Sequence, residues 1–154
     1  MTQKTQPIVP YLTVDNAAAA VEFYVKAFGA KELRRQAAPG TSKLLHVELE
    51  LNGARLMLSD DFPEFHGGKP LSAQKIGGSP VTLHLTSEAA ETLFNQAVKA
   101  GATVTMPFAD QFWGSRYGQI LDPFGLRWSL GTPEKPMTDD QLRQGAERAM
   151  TAKA

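Results

Sequence analysis

The side chains with the most chemical potential lie on short alternating strands. Residues 43–51 alternate, with Leu45, Val47, Leu49 and Leu51 on one face and His46, Glu48 and Glu50 on the other. His84 projects from a second such strand. Two histidines and a carboxylate could form a metal site or a general acid/base set. They could equally be solvent-side residues on an edge strand, or a histidine bonded to its neighbour. The stretch 110–118 sets Trp113 and Tyr117 beside Arg116. As a strap over a cavity, it would stack Trp113 on a planar ligand and pair Arg116 with an anionic group. As a plain hairpin loop, it would plug Trp113 into the core and pair Arg116 with Asp110. Asp60 either faces a cavity mouth or caps the turn that follows it.

The elements that position these groups come from an internal repeat. Gly29, Gly53 and Arg55 recur as Gly101, Gly125 and Arg127, all at a spacing of 72 residues. Helical periodicity precedes both Gly29 and Gly101. One apolar face carries Val21, Tyr24, Val25 and Phe28; the other carries Ala90, Leu93, Phe94, Ala97 and Val98. Asp15 or Asn16 caps the first helix and Ser87 the second. Strands are predicted over 7–14, 31–37, 43–51 and 54–60, and again over 80–86, 102–106, 118–121 and 126–131. Each half reads βαβββ, so the fold class is α+β, with module one at 7–60 and module two at 80–131. A helix covers one face of each sheet and leaves the other bare. Side by side, two such modules curl into a cupped mixed sheet with helices outside, and a cup suits a small molecule.

The Gly/Pro-rich link 61–79 reads as a flexible flap at the cup's rim, with His66 solvated. Thr138-Asp-Asp-Gln141 reads as a capping box that starts a tail helix over 138–151.

Composition narrows the function classes. With 16 basic and 16 acidic residues the net charge is zero, and no basic stripe offers a nucleic acid its footprint. No apolar run reaches the ~20 residues of a membrane span. The chain has no cysteine, which leaves no thiol chemistry and fits a cytoplasmic location. The expected partners are a small-molecule ligand and a second copy, as a homodimer, with no nucleic acid and no membrane.

Two sets of motifs add a resemblance. Tyr11-Leu-Thr-Val-Asp15, Glu22-Phe-Tyr24 and Phe28-Gly29-Ala30 resemble the opening of the vicinal oxygen chelate superfamily, which includes glyoxalase I, extradiol dioxygenases and bleomycin-resistance proteins. Gln111-Phe-Trp-Gly-Ser-Arg-Tyr-Gly118 and Asp122-Pro-Phe-Gly-Leu-Arg-Trp-Ser129 resemble its PhnB-like branch. The resemblance implies paired βαβββ modules and, in catalytic members, a metal held by one side chain on each of four strands. Those positions fall here on Val9, Met57, Thr82 (or Val81, one residue earlier) and Ser129. Strand polarity favours Thr82, because Val81, Leu83 and Leu85 form the aliphatic face. Val, Met, Thr and Ser offer a transition metal no usable ligand set.

No cofactor is therefore expected. The expected function is metal-free binding of an aromatic or partly anionic small molecule in the cleft between modules. Tyr11, His46, Glu48, Met57, His84, Trp113, Arg116 and Arg127 are the expected contacts, and no catalytic residue is assigned. The alternative is a metal-dependent lyase, isomerase or dioxygenase that uses displaced ligands His46, Glu48 and His84.

Overall fold

A computed structural model describes residues 6–153. Module one runs β1 (Tyr11–Val14), α1 (Ala17–Phe28), β2 (Lys31–Ala37), β3 (Leu44–Leu51) and β4 (Ala54–Asp60). A 3₁₀ turn at Pro63–Phe65 and a one-turn α2 (Ala73–Ile76) occupy the link. Module two runs β5 (Thr82–Thr86), α3 (Ala90–Lys99), β6 (Thr103–Asp110), β7 (Arg116–Leu121) and β8 (Arg127–Gly131), and α4 (Asp139–Thr151) follows. The two sheets have the same topology, β1-β4-β3-β2 and β5-β8-β7-β6, each with one parallel pair at its inner end. Among the described residues they are separate four-stranded sheets, and no closed barrel forms.

Several boundaries differ from the sequence expectation, each for a local reason. β1 begins at Tyr11 instead of residue 7, because Pro7 and Pro10 cannot donate to a ladder. The Pro10 carbonyl still accepts from the Met57 N–H at 3.0 Å. Ile8, inside the predicted strand 7–14, is 84% exposed. β6 runs on through Pro107 to Asp110, which an edge strand with register shifts tolerates. In β3 a register shift brings Leu44, instead of Leu45, into the core.

Asn16 caps α1, its side chain accepting from the Ala19 N–H at 3.1 Å, and Gly29 ends it at φ 67°. Asp15 instead pairs with Lys75. α3 starts later than expected, at Ala90. Ser87 accepts from the Ala89 N–H within a preceding turn and is not the cap.

The modules share one core. α1 packs on α3, and the Phe28 and Trp128 rings lie 4.7 Å apart. Asp122 joins the halves. One of its oxygens accepts from the Tyr24 hydroxyl at 2.7 Å and the Trp128 indole at 3.0 Å; the other accepts from the Phe124 and Leu126 N–H groups. Asp61 accepts from the Leu71 and Ser72 N–H groups and so anchors the link.

Candidate functional site

In each sheet one face is buried under helices and the other is open. In sheet one, Leu12, Val14, Val47, Leu49, Leu56 and Leu58 are buried. Tyr11, Met57 and Glu48 form a cross-strand row on the open face, with His46 two residues along β3 from Glu48. The Tyr11 hydroxyl lies 2.7 Å from His46 Nδ1, His46 Nε2 lies 3.2 Å from Glu48, and Arg55 lies 3.3 Å from the other Glu48 oxygen. The hydrogen bond from His46 holds the Glu48 carboxyl below its ordinary range, with Arg55 assisting against partial burial. Burial pushes the Tyr11 phenol up, and the Glu48 charge adds to this against a hydrogen bond with Ser59.

Sheet two carries the larger recess, a hollow of about 960 Å³. Thr82 and His84 of β5, Tyr117 and Gln119 of β7 and Ser129 of β8 form its floor, and Trp113 forms a wall. His84 Nδ1 lies 2.8 Å from the Ser129 hydroxyl, and its ring stacks on Tyr117 at 5.8 Å. Trp113 meets Tyr117 edge-on at 5.4 Å and donates its indole N–H to Ser115. Gln119 donates to the Tyr117 hydroxyl at 2.9 Å. Thr132, Pro133 and Glu134 close the rim.

The structure therefore divides the expected contacts. Tyr11, His46, Glu48 and Met57 belong to the open face of sheet one, whereas His84 and Trp113 belong to the hollow of sheet two. The expected grouping of His46 and Glu48 with His84 does not occur within one chain. Arg116 does not strap the hollow: it pairs with Glu91 and Asp110 and lies over the Phe108 ring. Its strand neighbour Tyr117 takes the hollow face, so alternation sends Arg116 to the other side. Arg127 pairs in register with Thr82 on the open face, but it is exposed and outside the hollow's lining. Asp60 faces no cavity mouth; it is buried and accepts from the Ala17 and Leu44 N–H groups.

Sequence reasoning missed Gln119 and the 132–134 rim. Gln119 had a signal, since it alternates with Tyr117 toward Ser129; the rim had none.

The four inherited metal positions remain poor ligands in place. Val9 precedes β1, Met57 and Thr82 are neutral, and the Ser129 hydroxyl is bonded to His84. Among the described residues no three His, Asp or Glu side chains come together in a way that could hold a metal ion. These residues do not fit the family's metal.

Two βαβββ modules, each presenting an open sheet face, define an α+β architecture, and a fold of this kind does not by itself fix a function. The chain belongs to the Glyoxalase/Bleomycin resistance protein/Dioxygenase superfamily, which residues 6–130 match. It is 48% identical over 134 residues to an uncharacterized protein of Mycobacterium bovis, covering 87% of this chain and 88% of the relative. Its fold is similar to the crystal structure of PA1353 from Pseudomonas aeruginosa, with TM-score 0.66, 28% identity, and coverage of 85% of this chain and 100% of that one. It is also similar to a PhnB protein from Bacillus cereus, with TM-score 0.64, 18% identity, and coverage of 83% and 100%. Among the described residues no helix is long and apolar enough to cross a membrane.

Proposed function

We propose that this protein binds a planar, aromatic small molecule in the hollow of sheet two, without a metal. The observation that carries this reading is the aromatic lining, with Trp113 and His84 each packed against Tyr117 in a hollow of about 960 Å³. That volume suits a drug-sized ligand. Stacking would supply affinity, and Gln119, Ser129 and the threonines would orient polar substituents. An anionic ligand is disfavoured, because among the described residues no Lys or Arg lines the hollow and Glu134 stands at its rim.

We further propose a homodimer in which the open sheet of a second copy covers the hollow. Within one chain the hollow is walled only by residues of module two and the segment after it.

Trp113 fluorescence tests the binding reading. A planar aromatic ligand should quench it saturably, and Trp113→Phe should abolish the response. At a hundredfold excess over Kd, stabilisation should be about 2.7 kcal/mol, raising Tm by roughly 5–10 °C. If no planar compound stabilises the protein, the reading is wrong. Stoichiometric zinc, iron, manganese or nickel that disappears in His46→Ala would replace it with the metal-dependent alternative.

A further inference from the structure

The aromatic wall of the hollow is held from behind by the tail. Trp113 lies on the connection between β6 and β7, a tight turn in which the Gln111 N–H donates to the Ser115 carbonyl at 2.9 Å. The segment after β8 runs alongside this turn. The Lys135 N–H donates to the Gly114 carbonyl at 3.0 Å, and the Thr132 N–H donates to the Arg116 carbonyl at 2.9 Å. The Arg116 N–H donates back to the Thr132 hydroxyl at 3.0 Å. Gly114, at φ 88°, lies bare against the tail: a Cβ there would meet the Met137 sulfur at 2.9 Å and the Lys135 carbonyl oxygen at 3.0 Å.

α4 then seats on the same connection. Leu142, Gly145, Ala146 and Ala149 form its buried or half-buried stripe, whereas Met150 is exposed. Gly145 fits against Phe112 only because it has no side chain; a Cβ would lie 2.9 Å from both the Cβ and the Cδ2 of Phe112. Phe112 meets the Trp113 ring edge-on at 5.0 Å, and Trp113 meets Tyr117 on the hollow side. Helix, Phe112, Trp113 and Tyr117 thus form one packed line that ends in the hollow. Thr132, Pro133 and Glu134, on the way to α4, are also the rim. Among the described residues none of α4 lines the hollow, so the helix acts there only through this line.

We propose that the tail is the gate of the hollow. With α4 docked on Phe112, Trp113 is held in the wall; with α4 lifted, wall and rim loosen together and ligand enters or leaves. This rests on the reading of the hollow as a ligand site. The other sides offer no such movement. The floor is the hydrogen-bonded strands β5, β8 and β7, and in the proposed homodimer the second copy covers the open side. A terminal helix seated on a loop is the kind of element that opens locally while the core stays folded. Linkage runs both ways: a ligand stacked on Trp113 holds α4 down without touching it.

The experiment uses the full chain and two variants. Gly145→Ala disturbs the seat without weakening the helix, since alanine is the better helix former. Thr138→Ala frays the start of α4 without touching Phe112, and Thr138→Ser keeps the cap. Acrylamide quenching of Trp113 is taken as the difference from Trp113→Phe, because Trp128 is buried in the core. In the ligand-free protein this quenching should rise severalfold in Gly145→Ala, rise less in Thr138→Ala and stay at the natural level in Thr138→Ser. Nile red, a neutral planar probe, should slow amide exchange in α4 of the natural chain, and its affinity should fall about fivefold or more in Gly145→Ala. Trp113 quenching that is unchanged in both alanine variants would overturn the proposal. So would Nile red that binds and leaves exchange in α4 as it was. Failure of Nile red and other planar compounds to bind would sink the reading of the hollow instead, and quenching in the ligand-free variants would still decide whether the tail holds the wall.

Discussion

Two buried carboxylates, Asp122 and Asp61, hold the molecule together in opposite electrostatic senses. Burial pushes the Asp122 carboxyl up, against hydrogen bonds from Leu126, Tyr24, Trp128 and Phe124. Removing the side chain would orphan all four donors in a core where unmet groups cost about 1–3 kcal/mol each. Asp122→Ala should therefore lose at least about 3 kcal/mol in urea unfolding. A loss under about 1 kcal/mol would mean that water replaces the carboxylate. For Asp61, burial also works upward, but the Ser72 and Leu71 N–H groups outweigh it, and the net shift is downward. A depressed carboxyl contributes stability that is present above its unfolded value of ~3.9 and lost as pH falls through the folded value. Asp61→Asn should thus be less stable than the natural chain at neutral pH, and the gap should close as pH falls below about 4. Stability curves for the two proteins from pH 7 to pH 3 check this; a gap that stays constant would show that the Asp61 charge contributes nothing.

At the scale of elements, the repeat was legible because period-2 alternation and the recurring glycines are local signals. So was the slip between halves. β4 and β8 match at a spacing of 72 residues, yet Tyr11 pairs with Met57 and His84 with Ser129, a spacing of 73. Counting the aliphatic positions anticipates this, since a one-residue shift would turn Leu83 and Leu85 out of the core. The start of α3 was not legible: Ser87 has the right side chain, but the chain makes one further turn before the helix begins. Nor was the division of the site, because the relative placement of two sheets rests on contacts between distant residues such as Phe28 with Trp128. The tail helix was legible through its box, in which Thr138 and Gln141 cap each other's backbone N–H groups. α4 packs close to the β6–β7 connection that bears Trp113, Gly145 lying so near Phe112 that a Cβ there would be at 2.9 Å. Thr138→Ala should cost about 1 kcal/mol, localised as faster amide exchange in α4. Unchanged exchange in α4 would show that docking on Phe112, not the cap, holds the helix.

For the whole molecule, the unresolved demand is burial. β2 is exposed at every position and β6 at nearly every one, with Leu33 and Val104 each 41% exposed. The apolar side chains among them, Leu33 on β2 and Val104 on β6, are the ones a partner would cover. In the proposed homodimer a second copy would cover these outer strands as well as the hollow. Sedimentation at micromolar concentration should give a mass near twice 16.7 kDa. If the second copy completes the hollow, binding and assembly are linked: ligand affinity read at Trp113 should fall on dilution below the dimer's dissociation constant, and ligand should raise the dimer fraction. A monomer at all accessible concentrations would remove the dimer. A dimer whose ligand affinity ignores dilution would instead place the interface away from the hollow.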